Sequence, residues 1–167
     1  MKKFLIKLIS RVVGFRAIEF NAFSVKLWGV PMINLSLENL ASNQHSLEKE
    51  FGYEEAYSIF YNLGKIQGRN GTNILLKKYN ISVNKNDFTF FLEQANLIGA
   101  GHLELFKFND KECIAVIENT VPNYARVYME KYGKQSHGVD FYLTGLIAGA
   151  AEVLLDCEAE CREIKCL

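Results

Sequence analysis

Three glycines stand on one face of the longest helical stretch in this sequence. Residues Tyr53 to Tyr79 place Ala56, Tyr57, Phe60, Leu63, Ile66, Ile74 and Leu75 at helical spacing, and Gly64, Gly68 and Gly71 recur among them at intervals of four and three. Glycine inside a helix costs roughly 1 kcal/mol relative to alanine, so three on one stripe need a reason. Either another helix approaches closely there, or space is left for a ligand. A second stretch, starting at His137 or Asp140 and running through Leu155, presents a similar small face at Gly145, Ala148, Gly149 and Ala151. A fold that accommodates both must bring helices together along their small faces, or hold something between them.

The remaining chain reads as short strands and helices. Phe4, Leu5, Leu8, Ile9, Val12 and Val13 give Met1–Phe15 an amphipathic helical period, with Lys3, Lys7, Ser10 and Arg11 opposite. Such a helix fits a membrane surface, a docking partner, the cap of a core or a dimer interface. Ala17–Val25 and Lys26–Leu35 read as strands around a turn at Val25–Gly29. Ser36 is an N-cap for a helix to about Glu50, which Gly52 stops. Asn84 caps a helix over Asp87–Asn96, and Gly99 and Gly101 break the chain after it. His102–Phe108 and Glu112–Glu118 alternate around Asn109-Asp110-Lys111, a hairpin pattern. Pro122 suits the first turn of a helix that runs to Tyr132, and Glu158–Leu167 reads as a closing strand. The elements do not alternate strictly as βαβ units. The expected architecture is α+β: one domain over 1–167, an antiparallel sheet packed with helices, with 1–35 as an N-terminal helix and strand extension used in packing or dimerisation.

Several function classes find no support. Nineteen basic residues balance nineteen acidic ones, so no charge field favours nucleic acid, and none is expected to bind this chain alone. The basic residues Lys7 and Arg11 interrupt the first apolar run, whereas a signal peptide needs roughly 7–15 unbroken apolar residues and a membrane span about 20. The expected location is cytoplasmic, where cysteines are more often free or metal-bound than bridged. Gly99-x-Gly101 precedes a strand, the wrong context for a dinucleotide loop, and no serine nucleophile elbow or His-Glu-x-x-His pair is found.

Cys157, Cys161, Glu163 and Cys166 form the densest chemical cluster. On a strand, Cys157, Cys161 and Glu163 share a face and Cys166 falls on the other unless a bulge intervenes. Their spacing is not that of a zinc ribbon, and small buried or solvated thiols are the simpler reading. The histidines are scattered. His45 lies on a polar helical stretch and reads as solvated. His102 lines a pocket or sits at a surface edge. His137 is a ligand or a helix-start residue.

Taken in order, these stretches resemble the 4-vinyl-reductase (hydrocarbon-binding) domain family. The resemblance covers roughly residues 30–167. Tyr61-Asn62-Leu63-Gly64-Lys65-Ile66-Gln67-Gly68 resembles the family's long helix with its Gly-Lys-x-x-Gly core. Gly99-Ala100-Gly101-His102 resembles its Gly-x-Gly entry to a strand, and Asn119-Thr120 its Asn-Ser step before a helix. Gly145-Leu146-Ile147-Ala148-Gly149 matches its Gly-x-x-x-Gly helix, and Glu163-Ile164-Lys165-Cys166 its closing Glu-x-x-Cys strand. The resemblance implies a dimeric mixed α/β domain, a ligand-binding domain of the NO-signalling/TRAPP type of fold, distantly like the TRAPP vesicle-tethering subunits. Some relatives are sensor domains for small aromatic effectors, and the family name reflects a proposed link to vinyl reduction. The sensors hold a zinc ion through a cysteine before the Gly-x-x-x-Gly helix, the Glu and Cys of the closing strand, and a later cysteine. This sequence has Glu163 and Cys166, but Asp140 stands at the first position and the chain ends at Leu167 before the last. His137 and Cys161 are the substitute donors. The sensors orient their ligand with a His and a Trp. His102 is the counterpart here, while the only Trp, Trp28, lies far upstream.

The expectation is therefore a non-catalytic domain that binds a small hydrophobic molecule, as sensor or carrier, and forms a homodimer. The expected pocket lies between the two glycine-faced helices and is lined by Phe60, Gly64, Gly68, His102, Phe141, Gly145 and Gly149. Zinc is the one cofactor that the resemblance brings in, with Asp140, Glu163, Cys166, His137 and Cys161 as its candidate ligands. The alternatives are a component of a vinyl-reductase-related enzyme, for which no cofactor fingerprint is visible, and a TRAPP-like interaction module.

Overall fold

The computed structural model describes residues 18–20, 25–32, 35–79, 85–109 and 114–165. Among them the fold is α+β, with five helices and two small antiparallel sheets. The expected amphipathic helix at Met1–Phe15, the Asn84 cap, the Asn109-Asp110-Lys111 turn and Cys166 all reach outside the described residues.

The first sheet has the order β1 (Ile18–Phe20), β2 (Val25–Leu27) and β3 (Val30–Met32). Two strands were expected here, and three short ones form. The chain already returns at Val25, which pairs with Phe20 on one side and Met32 on the other. The turn into β3 is Trp28-Gly29, with φ of +53° and +85°. Positive φ at both positions is the signature of the two-residue turns that match strand twist, although a tryptophan in this region is uncommon.

Helix α1 (Leu37–Phe51) begins as the sequence predicts. The Ser36 hydroxyl accepts the Asn39 backbone N–H at 3.1 Å, and Gly52, at φ +87°, ends the helix. Helix α2 (Tyr53–Tyr79) has Glu54 and Glu55 in its first turn and Lys77 and Lys78 in its last, both favourable to the helix dipole. Helix α3 (Lys85–Leu97) is followed by the hairpin β4 (Leu103–Asn109) and β5 (Ile114–Asn119), which carries an irregularity between Leu105 and Lys107. Pro122 caps α4 (Asn123–Tyr132), one position earlier than its expected place in the first turn, and Asp140 caps α5 (Phe141–Leu155). Residues 158–165 form no strand, contrary to expectation. Side chains of Lys65 and Glu152 engage its backbone at Ala159, and that of Tyr61 does so at Cys161, in place of a ladder partner. No helix of the described residues is long and apolar enough to cross a membrane.

The chain divides into two compact units. One comprises residues up to Asn34 together with Ile74–Val121; its buried apolar residues include Leu75, Phe88, Phe91, Leu92, Ala95 and Leu103. The other comprises Leu35–Asn73 and Pro122–Leu167. Its buried clusters centre on Ala41, Tyr124, Ala125, Tyr128 and Val139, and on Ala56, Phe60 and Phe141.

A polar network binds α1 to α4 in the second unit. Gln44 is fully buried, and its amide nitrogen donates to Glu48 at 2.9 Å and to the Val139 carbonyl at 3.0 Å. Its amide oxygen accepts from the Tyr124 hydroxyl at 2.7 Å. The Tyr128 hydroxyl donates to Glu48. Its single proton is thereby used, so the 3.2 Å contact with His45 has Nδ1–H as donor. His45 also stacks on Tyr132, with centroids 3.8 Å apart, so it is a packed residue and not the solvated one expected.

Candidate functional site

The two glycine faces meet each other. A Cβ placed on Gly64 would lie 2.9 Å from the Leu146 nitrogen and closer still to the Tyr142 carbonyl oxygen; one on Gly68 would lie 3.0 Å from the Ala150 nitrogen. The relation is reciprocal. A Cβ on Gly145 would meet Tyr61 and Lys65 backbone, and one on Gly149 would lie 2.8 Å from the Lys65 carbonyl carbon. Rising residue numbers pair with rising residue numbers, so α2 and α5 run parallel here. Their backbones approach so closely that Cα–H···O contacts replace side-chain packing. The pocket expected between these faces is corrected to helix contact at Gly64, Gly68, Gly145 and Gly149, because each helix fills the space that the other's missing side chains leave. Gly71 is different: nothing stands within 4 Å of its added Cβ.

Charged groups clasp the flank of this contact. Glu152 pairs with Lys65 at 2.8 Å and also accepts from Arg69, and Lys65 reaches on to the Ala159 carbonyl at 3.0 Å. The Arg69 hydrogen bond, aided by Lys65, holds the Glu152 carboxyl at about 2, against the opposing effect of burial.

The start of α5 gathers most of the other candidates. Phe141 is buried in one cluster with Phe60, and it meets Tyr53 and Tyr57 edge-on at 5.3 and 5.2 Å. His137 lies 4.3 Å from Tyr53, and its Nδ1 is 2.9 Å from the carbonyl oxygen of Gly138. Glu163 comes from the distant chain end to accept the Asp140 backbone N–H at 3.2 Å, packing on Gly138, where a Cβ would lie 2.8 Å from its carboxyl carbon. The Cys161 backbone N–H donates to the Tyr61 hydroxyl at 3.2 Å. Burial, then the neighbouring Glu163 carboxylate, pushes Asp140 up to about 7, although the Leu143 backbone N–H opposes the shift. Burial, then Asp140 and Glu163, pushes the Cys161 thiol up to about 11. Asp140 thus changes charge near pH 7, whereas Cys161 stays a neutral thiol there and is no thiolate nucleophile. A zinc site needs several donors converging on one point. Among the described residues no three His, Cys, Asp or Glu side chains form such a group, and Cys166 lies outside them. The described candidates do not fit a zinc ion.

His102 belongs to the other unit. Its ring Nδ1 is 2.7 Å from the Thr120 hydroxyl, its backbone N–H donates to the Asn119 side chain at 3.0 Å, and its side chain is 45% exposed. Gly101 precedes it at φ +136°, and a Cβ there would lie 2.5 Å from both the Asn119 Oδ1 and the Val121 carbonyl. The Gly-x-Gly entry and the Asn119-Thr120 step therefore close the open end of one hairpin. Asn96 fastens α3 to it, holding Leu103 through both backbone groups at 3.0 and 2.8 Å. Two polar groups that the sequence did not single out for a site lie in this unit. Gln94 of α3 is 1% exposed, and its amide nitrogen has no hydrogen-bond partner; the buried indole nitrogen of Trp28 has none either.

No family model matches the chain, and no curated protein does. Among solved structures, it is similar to the phenol-responsive sensory domain of the transcription activator PoxR, determined with phenol. The two are 19% identical, with a TM-score of 0.73, over 94% of this chain and 81% of that one. The chain has the fold of that sensory domain. The 4-vinyl-reductase family, inferred from five short motifs, is a narrower statement than this likeness carries.

Proposed function

We infer that the chain is a sensory or carrier domain that binds a small hydrophobic molecule, aromatic or lipid-like, in an apolar interior. The observation that carries this reading is the likeness to a phenol-responsive sensory domain over nearly the whole chain. The motif resemblance to hydrocarbon-binding domains points the same way. Backbone contact between α2 and α5 gives such a domain a stiff frame, so the apolar site is sought away from the glycine faces. Burial of apolar ligand surface would supply affinity, and a few polar groups would set orientation. The test is a thermal-shift panel of phenols, alkylbenzenes and fatty acids, with native mass spectrometry for any copurified molecule. A ligand at 100 times its Kd stabilises by about 2.7 kcal/mol, which for this size raises Tm by about 5–10 °C. A flat panel with no copurified molecule rejects the reading.

A homodimer is the second element of the proposal. Ile59, Leu63 and Ile66 form an apolar stripe, 41–53% exposed, along α2. This stripe suits a second copy of the chain or, in the alternative reading, a protein partner. Sedimentation that finds only monomer at micromolar concentration removes the self-association.

A further inference from the structure

We propose that the ligand carries a neutral oxygen acceptor, and that the Gln94 side-chain amide is the donor that selects it. The inference rests on the ligand-binding reading above and narrows its chemical class.

The α3 helix buries an apolar face. Phe88, Phe91, Leu92 and Ala95 follow the i, i+3, i+4, i+7 pattern, and each is at most 7% exposed. Gln94 lies between Leu92 and Ala95 at 1% exposure, so water does not reach its amide. A primary amide carries two N–H donors, and burying such a donor without a partner is unfavourable. Native proteins rarely leave buried polar atoms in that state. Packing does not call for an amide here, because methionine has nearly the same volume and no polar atom.

Gln44 supplies the internal comparison. It is equally buried, and Glu48, Val139 and Tyr124 engage both ends of its amide. One buried glutamine is thus a satisfied structural link, and the other holds a buried donor with no partner. The Trp28 indole nitrogen is a second buried, unpartnered donor in the same unit as Gln94. Both groups are donors, so what complements them is an acceptor. The acceptor is neutral, because a buried carboxylate needs a paired charge and an amide offers only a dipole. The class is therefore a small apolar molecule bearing a carbonyl, ether or phenolic oxygen.

Matched probe pairs test this: acetophenone against isopropylbenzene, and p-cresol against p-xylene, titrated into the full chain and into Gln94→Met. A hydrogen bond gained in place of an unpaired donor is expected to give the oxygen-bearing member about tenfold tighter binding in the wild type. Gln94→Met is expected to bind both members of a pair alike and to melt higher than wild type without ligand. If the wild type binds hydrocarbon and oxygenated probes alike, or if Gln94→Met discriminates as wild type does, the acceptor proposal is overturned while the ligand-binding reading stands. If no probe binds at all, both fall. If Gln94→Met does not fold, Gln94→Leu takes its place in the same comparison, with the same outcomes.

Discussion

Gly149→Ala offers the most direct test of the packing between α2 and α5. In an ordinary helix this substitution stabilises, by about 1 kcal/mol, because alanine loses less backbone entropy. Here the new methyl group would lie 2.8 Å from the Lys65 carbonyl carbon and 3.0 Å from the Arg69 nitrogen, with the Lys65 oxygen nearer still. Ordinary contact begins near 3.4 Å, so the carbonyl carbon alone must move by about 0.6 Å, and the obstacle is backbone rather than a flexible side-chain tip. Overpacking of this kind costs about 1–3 kcal/mol or more, and a rigid helix on each side places the cost at the upper end. The net expectation is a loss of about 2 kcal/mol, or a Tm lower by about 4–8 °C. Gly71→Ala is the control. Nothing stands within 4 Å of its new methyl group, so the propensity gain is unopposed and stability rises by about 0.5–1 kcal/mol. Urea unfolding of the two variants, read by far-ultraviolet circular dichroism, gives both numbers. A Gly149→Ala protein as stable as Gly71→Ala would mean that the helices do not meet, and would return the glycine faces to the role of ligand lining.

Glu152→Gln removes the carboxylate shared by Lys65 and Arg69. Because the folded-state pKa is depressed to about 2, its contribution is full above the ordinary value of 4.5 and fades as pH falls through 2. Near the surface this is worth about 0.5–1 kcal/mol at pH 7, and a variant with unchanged urea midpoint at pH 7 refutes it. Asp140 behaves oppositely. Its folded-state pKa is raised from 3.8 to about 7, so the folded protein holds a proton that the unfolded chain has released, and stability declines as pH rises through that window. Asp140→Asn is expected to flatten the decline between pH 4 and 7 and to be the more stable protein at pH 8; a pH–stability curve parallel to wild type would show that Asp140 ionises normally.

The local devices were readable in the sequence because their causes are local. Ser36 caps α1 through a residue three positions away, and Gly52 ends it through its own backbone freedom. The two glycine stripes were likewise visible as faces, and their period fixed which residues would share a contact. What the period could not give was the occupant of the space beside them, since a ligand and a carbonyl ladder demand the same absence of side chains. Residues 158–165 misled for a related reason. Their composition suits an extended chain, but extension becomes a strand only with a ladder partner, and here Tyr61, Lys65 and Glu152 do the holding. The Asp140–Glu163 juxtaposition spans 23 residues and raises a pKa by desolvation, which no spacing rule encodes.

On the proposed ligand-binding reading, the glycine contact also limits how the domain can respond. Backbone in contact with backbone has two discrete options, packed or apart, and no graded intermediate. A ligand signal carried by separating α2 from α5 would have to break the contacts at Gly64, Gly68, Gly145 and Gly149 together, along with the Lys65 and Arg69 bonds to Glu152. A small ligand has only a few kcal/mol of differential affinity to bias an equilibrium. The opening of α2 from α5 is therefore the wrong place to look for the response. The α3 helix is joined to β4 through the Asn96 side chain, and Asn119 of β5 holds the segment that leads into β4, so side-chain hydrogen bonds rather than backbone contact tie these elements. On the acceptor proposal, Gln94, set in the buried face of α3, would couple a ligand to that unit through its own amide.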